Sequence, residues 1–197
     1  FSQPASVSTP PELLFEEKEF SETGCFFDNS TDEIAYFVEE GAFHIDVLVP
    51  KWYALSPCLG EEDFTDFVLE VDATQVAGPD HNLYGVMIRY YDATKDYCFG
   101  VPGDGNYTLV YDNLDVDEPT TKLIHWKYSS AIKTGANTNH IKVVAIGNKI
   151  ELYVNDEFLE TIQDDRVSSG TVGFIVSTSD KGGSHIRFDN VMVTAPE

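Results

Sequence analysis

The 197-residue chain carries 34 acidic against 12 basic side chains, a formal charge of -22. A field of that sign repels phosphate backbones and anionic lipid headgroups, which argues against nucleic acid as a partner. No run of about 18 apolar residues offers direct membrane insertion, and the surface suits neutral ligands and cations.

The opening stretch "FSQPASVSTPPELL" has neither the basic nor the apolar region of a signal peptide. Its Ser, Thr and Pro content marks residues 1–12 as a linker. A linker in that place implies an upstream signal peptide, lipid-anchored cysteine or further domain. The expectation is therefore a module of a larger protein that is extracytoplasmic, either secreted or anchored at a cell surface.

From Leu13 to Glu197 the length suits one domain with a full core. Short runs rich in Val, Tyr, Phe and Thr recur between turn signals, and no long stretch repeats apolar residues at helical spacing. The spacing predicts roughly ten to thirteen antiparallel strands, packed as a two-sheet β-sandwich because one open sheet would leave a face uncovered.

In "GAFHIDVLVP", Phe43, Ile45, Val47 and Val49 share a face. "DFVLEVDATQV" turns Phe67, Leu69 and Val71 to the core, with Val68, Glu70, Asp72 and Thr74 outward. "YGVMIRYY", "DYCFGV" and "NYTLVYD" follow, the last two joined across "PGDG". Tyr97, Phe99 and Tyr107 alternate as a core row. Further on, "NHIKVVAIG" meets "KIELYVN" at Gly147-Asn148, and Asn155-Asp156 makes a two-residue hairpin into "EFLETI", since both residues tolerate positive φ.

Of the three cysteines, Cys98 sits mid-strand, where a small buried thiol packs as a hydrophobe. Cys25 and Cys58 lie in the turn-rich segments "ETGCFFD" and "LSPCLGE", where a bridge is sterically easier. That pairing is preferred among the three possible, and its loop closure would contribute about 3–4 kcal/mol.

Together "FTDFVLEVDATQV", "YGVMIRYYDATKDYCFGV", "IKTGANTNHIKVVAIGNKIELYVNDEFLETIQDD" and "SSGTVGFIVST…IRFDNVMV" resemble the concanavalin A-like lectin/glucanase superfamily. The pattern is similar to laminin G-like jelly-roll domains of bacterial surface proteins and to 3-keto-disaccharide hydrolase domains. It covers about residues 13–195. The resemblance implies a jelly roll with a concave sheet face over which glycans bind, and Arg89 projecting from that face after the "YG-apolar-x-apolar" strand. Period-2 alternation would set Arg89 beside Gly85, Met87 and Tyr91. An ion pair with Glu70 or Asp72 is the competing structural role.

"LEVDATQ" nearly matches the Glu-x-Asp-x-x-Glu strand of laminarinase-type hydrolases, in which a bulge brings the third acid round to the face of the first two. Retaining hydrolysis needs two carboxyls about 5–5.5 Å apart. Glu70 and Asp72 are thus the candidate catalytic carboxylates, but the third position is Gln75, which cannot donate a proton as an acid. The five histidines have no ligand spacing.

Candidate aromatics for pyranose stacking are Tyr91, Tyr107, Tyr111, Trp126 and Tyr128, although most of the chain's aromatics must be core. In some carbohydrate-binding relatives an Asp in the position of Asp189, in "FDNVMV", helps hold a structural calcium with acids of the first strand; here these would be Glu17 and Glu19. A turn-capping role for Asp189 competes. The expected function is glycan or surface-ligand binding without catalysis, the alternatives being a protein-interaction domain and a glycoside hydrolase.

Overall fold

The computed structural model describes residues 10–60 and 63–197, so the first nine residues of the expected linker lie outside it. Among the described residues the chain forms fourteen strands in two antiparallel sheets, a jelly-roll β-sandwich. The strands in chain order are β1 (Leu13–Glu17), β2 (Ile34–Glu39), β3 (Ala42–Val47), β4 (Tyr53–Pro57), β5 (Phe67–Ala77), β6 (Tyr84–Tyr91) and β7 (Lys95–Gly100). They continue with β8 (Asn106–Asn113), β9 (Thr120–Tyr128), β10 (Thr138–Ile146), β11 (Lys149–Val154), β12 (Glu157–Gln163), β13 (Thr171–Ser177) and β14 (Ser184–Thr194).

The eight-stranded sheet runs β12-β11-β10-β5-β14-β3-β2, with β1 beside β14. The six-stranded sheet runs β4-β13-β6-β7-β8-β9. Fourteen strands exceed the expected number because β2 and β4 lack a clear signal. The β2–β3 hairpin turns on Glu40-Gly41, with φ of 49° and 74°, rather than on an Asn-Gly or Asp-Gly pair. The Asn155-Asp156 turn has φ of 53° and 66°, as a type I′ hairpin requires.

Inward faces of both sheets form one core. Phe174 of β13 stacks on Phe188 of β14 at 4.2 Å between centroids, and on Phe26 at 4.4 Å. The expected inward row of β5 is buried throughout, from Phe67 to Ala73. Cys25 and Cys58 form the disulfide, with Cα atoms 4.6 Å apart, and Cys98 is a buried free thiol. No helix among the described residues is long and apolar enough to cross a membrane.

Candidate functional site: a groove on the six-stranded sheet

The outer face of the six-stranded sheet follows from its inner one. Tyr97 and Phe99 of β7 and Tyr107, Leu109 and Tyr111 of β8 point into the core. Their neighbours Asp96, Cys98, Thr108, Val110 and Asp112 therefore point away from it. The antiparallel register sets Asp96 opposite Asp112, Cys98 opposite Val110, and Asp112 opposite Thr120 of β9.

Over this face lies a groove of about 380 Å³, walled by Tyr53 and Leu55 of β4, Tyr90, Leu114 and Ile175, and floored by Asp96, Cys98 and Asp112. A second hollow of about 440 Å³ continues it toward the disulfide, sharing Leu55, Tyr90 and Ala93 and adding Phe27, Asp63 and Asp92. Aromatic and aliphatic walls with a few convergent polar groups are the ordinary make-up of a small-ligand site.

The floor is electrostatically unusual. Ligand atoms of Asp96, Cys98 and Asp112 lie within 4.8 Å of one another. Asp96 is only 6% exposed, and its Oδ1 accepts the Cys98 S–H at 3.2 Å. Asp112 Oδ1 accepts from the Thr120 hydroxyl at 2.5 Å. Burial first, then the charge of Asp112, pushes the Asp96 carboxyl up to about 6 against the relief of the thiol hydrogen bond. Burial also raises Asp112, opposed by its Thr120 bond. Burial and the two carboxylates hold the Cys98 thiol well above its ordinary value, so it is protonated and a poor nucleophile. The three are the set among the described residues grouped closely enough to hold a metal ion.

The residues expected at the site are distributed otherwise. Arg89 is fully buried and does not project from the sheet. Three residues of β6 span two of β7 between Ile88 and Tyr91, and three of β6 span two of β13 between Met87 and Tyr90. The extra residue is a β-bulge, and Arg89 takes φ of +53° within it. The bulge turns the guanidinium inward and gives the place on the groove to Tyr90. Inside, Arg89 donates to the carbonyls of Val167 (3.1 Å), Thr65 (3.0 Å) and Gly147 (2.7 Å). Neither Glu70 nor Asp72 pairs with it; burial lowers its pKa, offset by Tyr97 and Asp66.

Met87 shares the outer side of β6 but is fully buried, its Cε against Gly173 of β13. Tyr91, Trp126 and Tyr128 are exposed. None of the three lines the groove, however: Tyr91 borders a separate hollow with Lys95 and Arg166, and the other two lie on the edge strand β9. Tyr107 and Tyr111 are core residues.

Glu70 and Asp72 stand on the outer face of the other sheet. His140 bridges them, Nδ1 to Asp72 at 2.8 Å and Nε2 to Glu70 at 3.4 Å. Lys142 approaches Glu70 at 3.5 Å and the Asn190 amide donates to Asp72 at 2.9 Å. Gln75 does not join them. It continues the inward row, is buried, and donates to Gly78 O at 2.8 Å. The register slip of β5 falls beyond it, between Gln75 and Ala77.

Asp189 pairs with Arg187 at 2.5 Å and accepts from the Asn190 side-chain amide at 2.7 Å, and among the described residues it accepts no bond from a turn N–H, so the competing capping role is not seen. It does not come together with Glu17 and Glu19 in a metal-ligand grouping among the described residues.

No family profile and no curated protein matches the chain in sequence. Solved structures match it in fold. The carbohydrate-binding module CBM66 from Bacillus subtilis superposes with a TM-score of 0.57 at 19% identity, over 95% of this chain and 99% of that one. The laminarinase catalytic domain from Thermotoga maritima gives 0.58 at 9%, over 85% and 82%. A structure reported with endo-acting O-glycanases of the human gut microbiota gives 0.62 at 10%, over 94% and 100%. The fold is thus the concanavalin A-like jelly roll, an architecture that carbohydrate-binding modules and glycoside hydrolases share.

Proposed function

We propose that this jelly roll is a non-catalytic, extracytoplasmic carbohydrate-binding module whose ligand lies in the groove over the six-stranded sheet. The observation that carries the reading is the groove itself, where the Tyr53 and Tyr90 walls stand over the hydrogen-bonding carboxyls of Asp96 and Asp112. Apolar pyranose faces pack on such rings, and sugar hydroxyls donate to such oxygens. Likeness to a carbohydrate-binding module over almost the whole of both chains supports it at the level of fold.

The absence of catalysis is supported by Glu70 and Asp72, which His140, Lys142 and Asn190 hold on the other sheet. An extracytoplasmic setting is supported by the Cys25–Cys58 bridge, since such bonds persist in oxidising compartments.

The test is a soluble saccharide panel titrated by calorimetry against the protein and Tyr90→Ala. Binding by one class, weakened about tenfold in the variant, is the expected result, because an aromatic contact contributes about 0.5–1.5 kcal/mol beyond its area. A silent panel supports the protein-interaction alternative, and release of reducing ends from a bound saccharide supports the hydrolase.

A further inference from the structure

We propose that the saccharide taken by this groove carries a free, protonated amine, so that the natural ligand is an amino sugar rather than a neutral, N-acetylated or acidic one. This rests on the reading of the groove as a carbohydrate site.

The first ground is charge. Four aspartates line the two connected hollows, Asp63, Asp92, Asp96 and Asp112, and the described lining residues include no Lys, Arg or His. The basic side chain next in sequence to the floor, Lys95, reaches Asp115 at 2.6 Å and Asp92 at 3.7 Å and pairs with neither Asp96 nor Asp112. An acidic sugar would add a further negative charge to this set. A neutral hydroxyl would offer hydrogen bonds but nothing to offset two facing carboxylates.

The second ground is unfilled hydrogen-bonding capacity. Asp96 is more than nine-tenths buried and lines the groove; among the described residues its Oδ1 has only the weak thiol donor, and its Oδ2 accepts no hydrogen bond from a protein group while not being sealed from solvent. Asp112 likewise uses one oxygen, for Thr120. A buried carboxylate ordinarily gathers several donors. An ammonium group brings three donors and a positive charge to the place where both carboxyls face outward.

The third ground is the wall. The electron-rich face of Tyr attracts a cation close to its ring, and Tyr53 and Tyr90 line the same groove as the acid pair. Acids below and rings beside are together suited to a cationic group on a sugar ring.

The experiment compares glucosamine oligomers, N-acetylglucosamine oligomers of the same length and glucuronate oligomers, titrated at pH 6.5 in low salt with EDTA. The proteins are wild type, Asp96→Asn, Asp112→Asn and Tyr90→Ala, each checked by thermal melting for folding. The expected result is at least tenfold tighter binding of the free-amine oligomer than of its N-acetylated counterpart, no binding of the glucuronate, and loss of the amine preference in both Asn variants.

Equal affinity for the amine and acetyl forms, with Tyr90→Ala weakening both, overturns the inference and leaves the carbohydrate site standing. No binding by any oligomer, before or after Tyr90→Ala, overturns both. An amine preference that survives both Asn variants assigns it to the general acidity of the surface and overturns the site. Saccharide binding that appears only with added zinc and disappears in Cys98→Ala overturns it in favour of a metal held by Asp96, Cys98 and Asp112.

Discussion

Arg89 donates to the carbonyl of Gly147 at 2.7 Å, tying the bulge of β6 in one sheet to the β10–β11 turn of the other. Its other two bonds reach Val167, before β13, and Thr65, before β5. Three loops thus share one buried cation. Gly170 completes the arrangement: with φ of +152°, it passes so close that a Cβ there would meet Arg89 C and Tyr90 O at 2.6 Å.

Arg89→Met is expected to destabilise the fold by about 3–5 kcal/mol, because stranding buried acceptors costs about 1–3 kcal/mol each and their losses are not fully additive. Chemical denaturation measures this. A loss under about 1 kcal/mol would mean that water replaces the guanidinium at little cost. Saccharide binding, where the variant stays folded, is expected to fall only through Tyr90, whose position depends on the bulge.

The Cys25–Cys58 bridge closes a sequence separation of 33 residues. The chain-entropy model assigns such a loop about 3–4 kcal/mol. Cys25→Ser with Cys58→Ser should lower the melting temperature accordingly, and thiol titration of the unfolded, unreduced wild type should find the single thiol of Cys98.

Asp96 contributes to the acid side of the stability profile. Its folded pKa of about 6 lies above the unfolded value of 3.8. The folded state therefore holds the proton more tightly. The associated stability is fully present below about pH 4 and is lost as the pH rises through about 6. Asp96→Asn should remove this dependence and raise stability at pH 7 by up to about 3 kcal/mol, since each tenfold difference in proton affinity between the folded and unfolded chains corresponds to about 1.4 kcal/mol. Melts at pH 4.5 and 7 read the difference. Equal gains from the substitution at both pH values would contradict the burial of an ionised Asp96.

Glu70→Gln and Asp72→Asn each disturb the partly exposed His140 network on the far sheet. Exposed pairs contribute about 0–1 kcal/mol, so stability should change within that range. Saccharide affinity should not move. A tenfold loss of affinity in either variant would shift the site from the groove to the other sheet.

Much of this protein is legible in its alternation. Phe67, Leu69, Val71 and Ala73 declare the core face of β5, and Asn155-Asp156 declares its hairpin, because side-chain period and turn stereochemistry are properties of the local chain. The same logic already turns Asp96, Cys98 and Asp112 outward once Tyr97, Phe99, Tyr107 and Tyr111 are assigned to the core. What alternation cannot supply is distance. That Asp96 stands opposite Asp112 depends on the register of the β7–β8 hairpin, and that Tyr53 of β4 joins them depends on β4 and β13 closing the same sheet.

Nor does local pattern reveal one inserted residue. A bulge at Arg89 inverts the face of every residue after it in β6, exchanging Arg89 for Tyr90 at the groove, and it is held by the carbonyls of three distant loops. Glu70 and Asp72 form an acidic face in sequence and in structure alike. Only the packing of the two sheets assigns that face to the side away from the groove, since the order of strands in a sandwich is set by long-range pairing that short-range propensity does not encode.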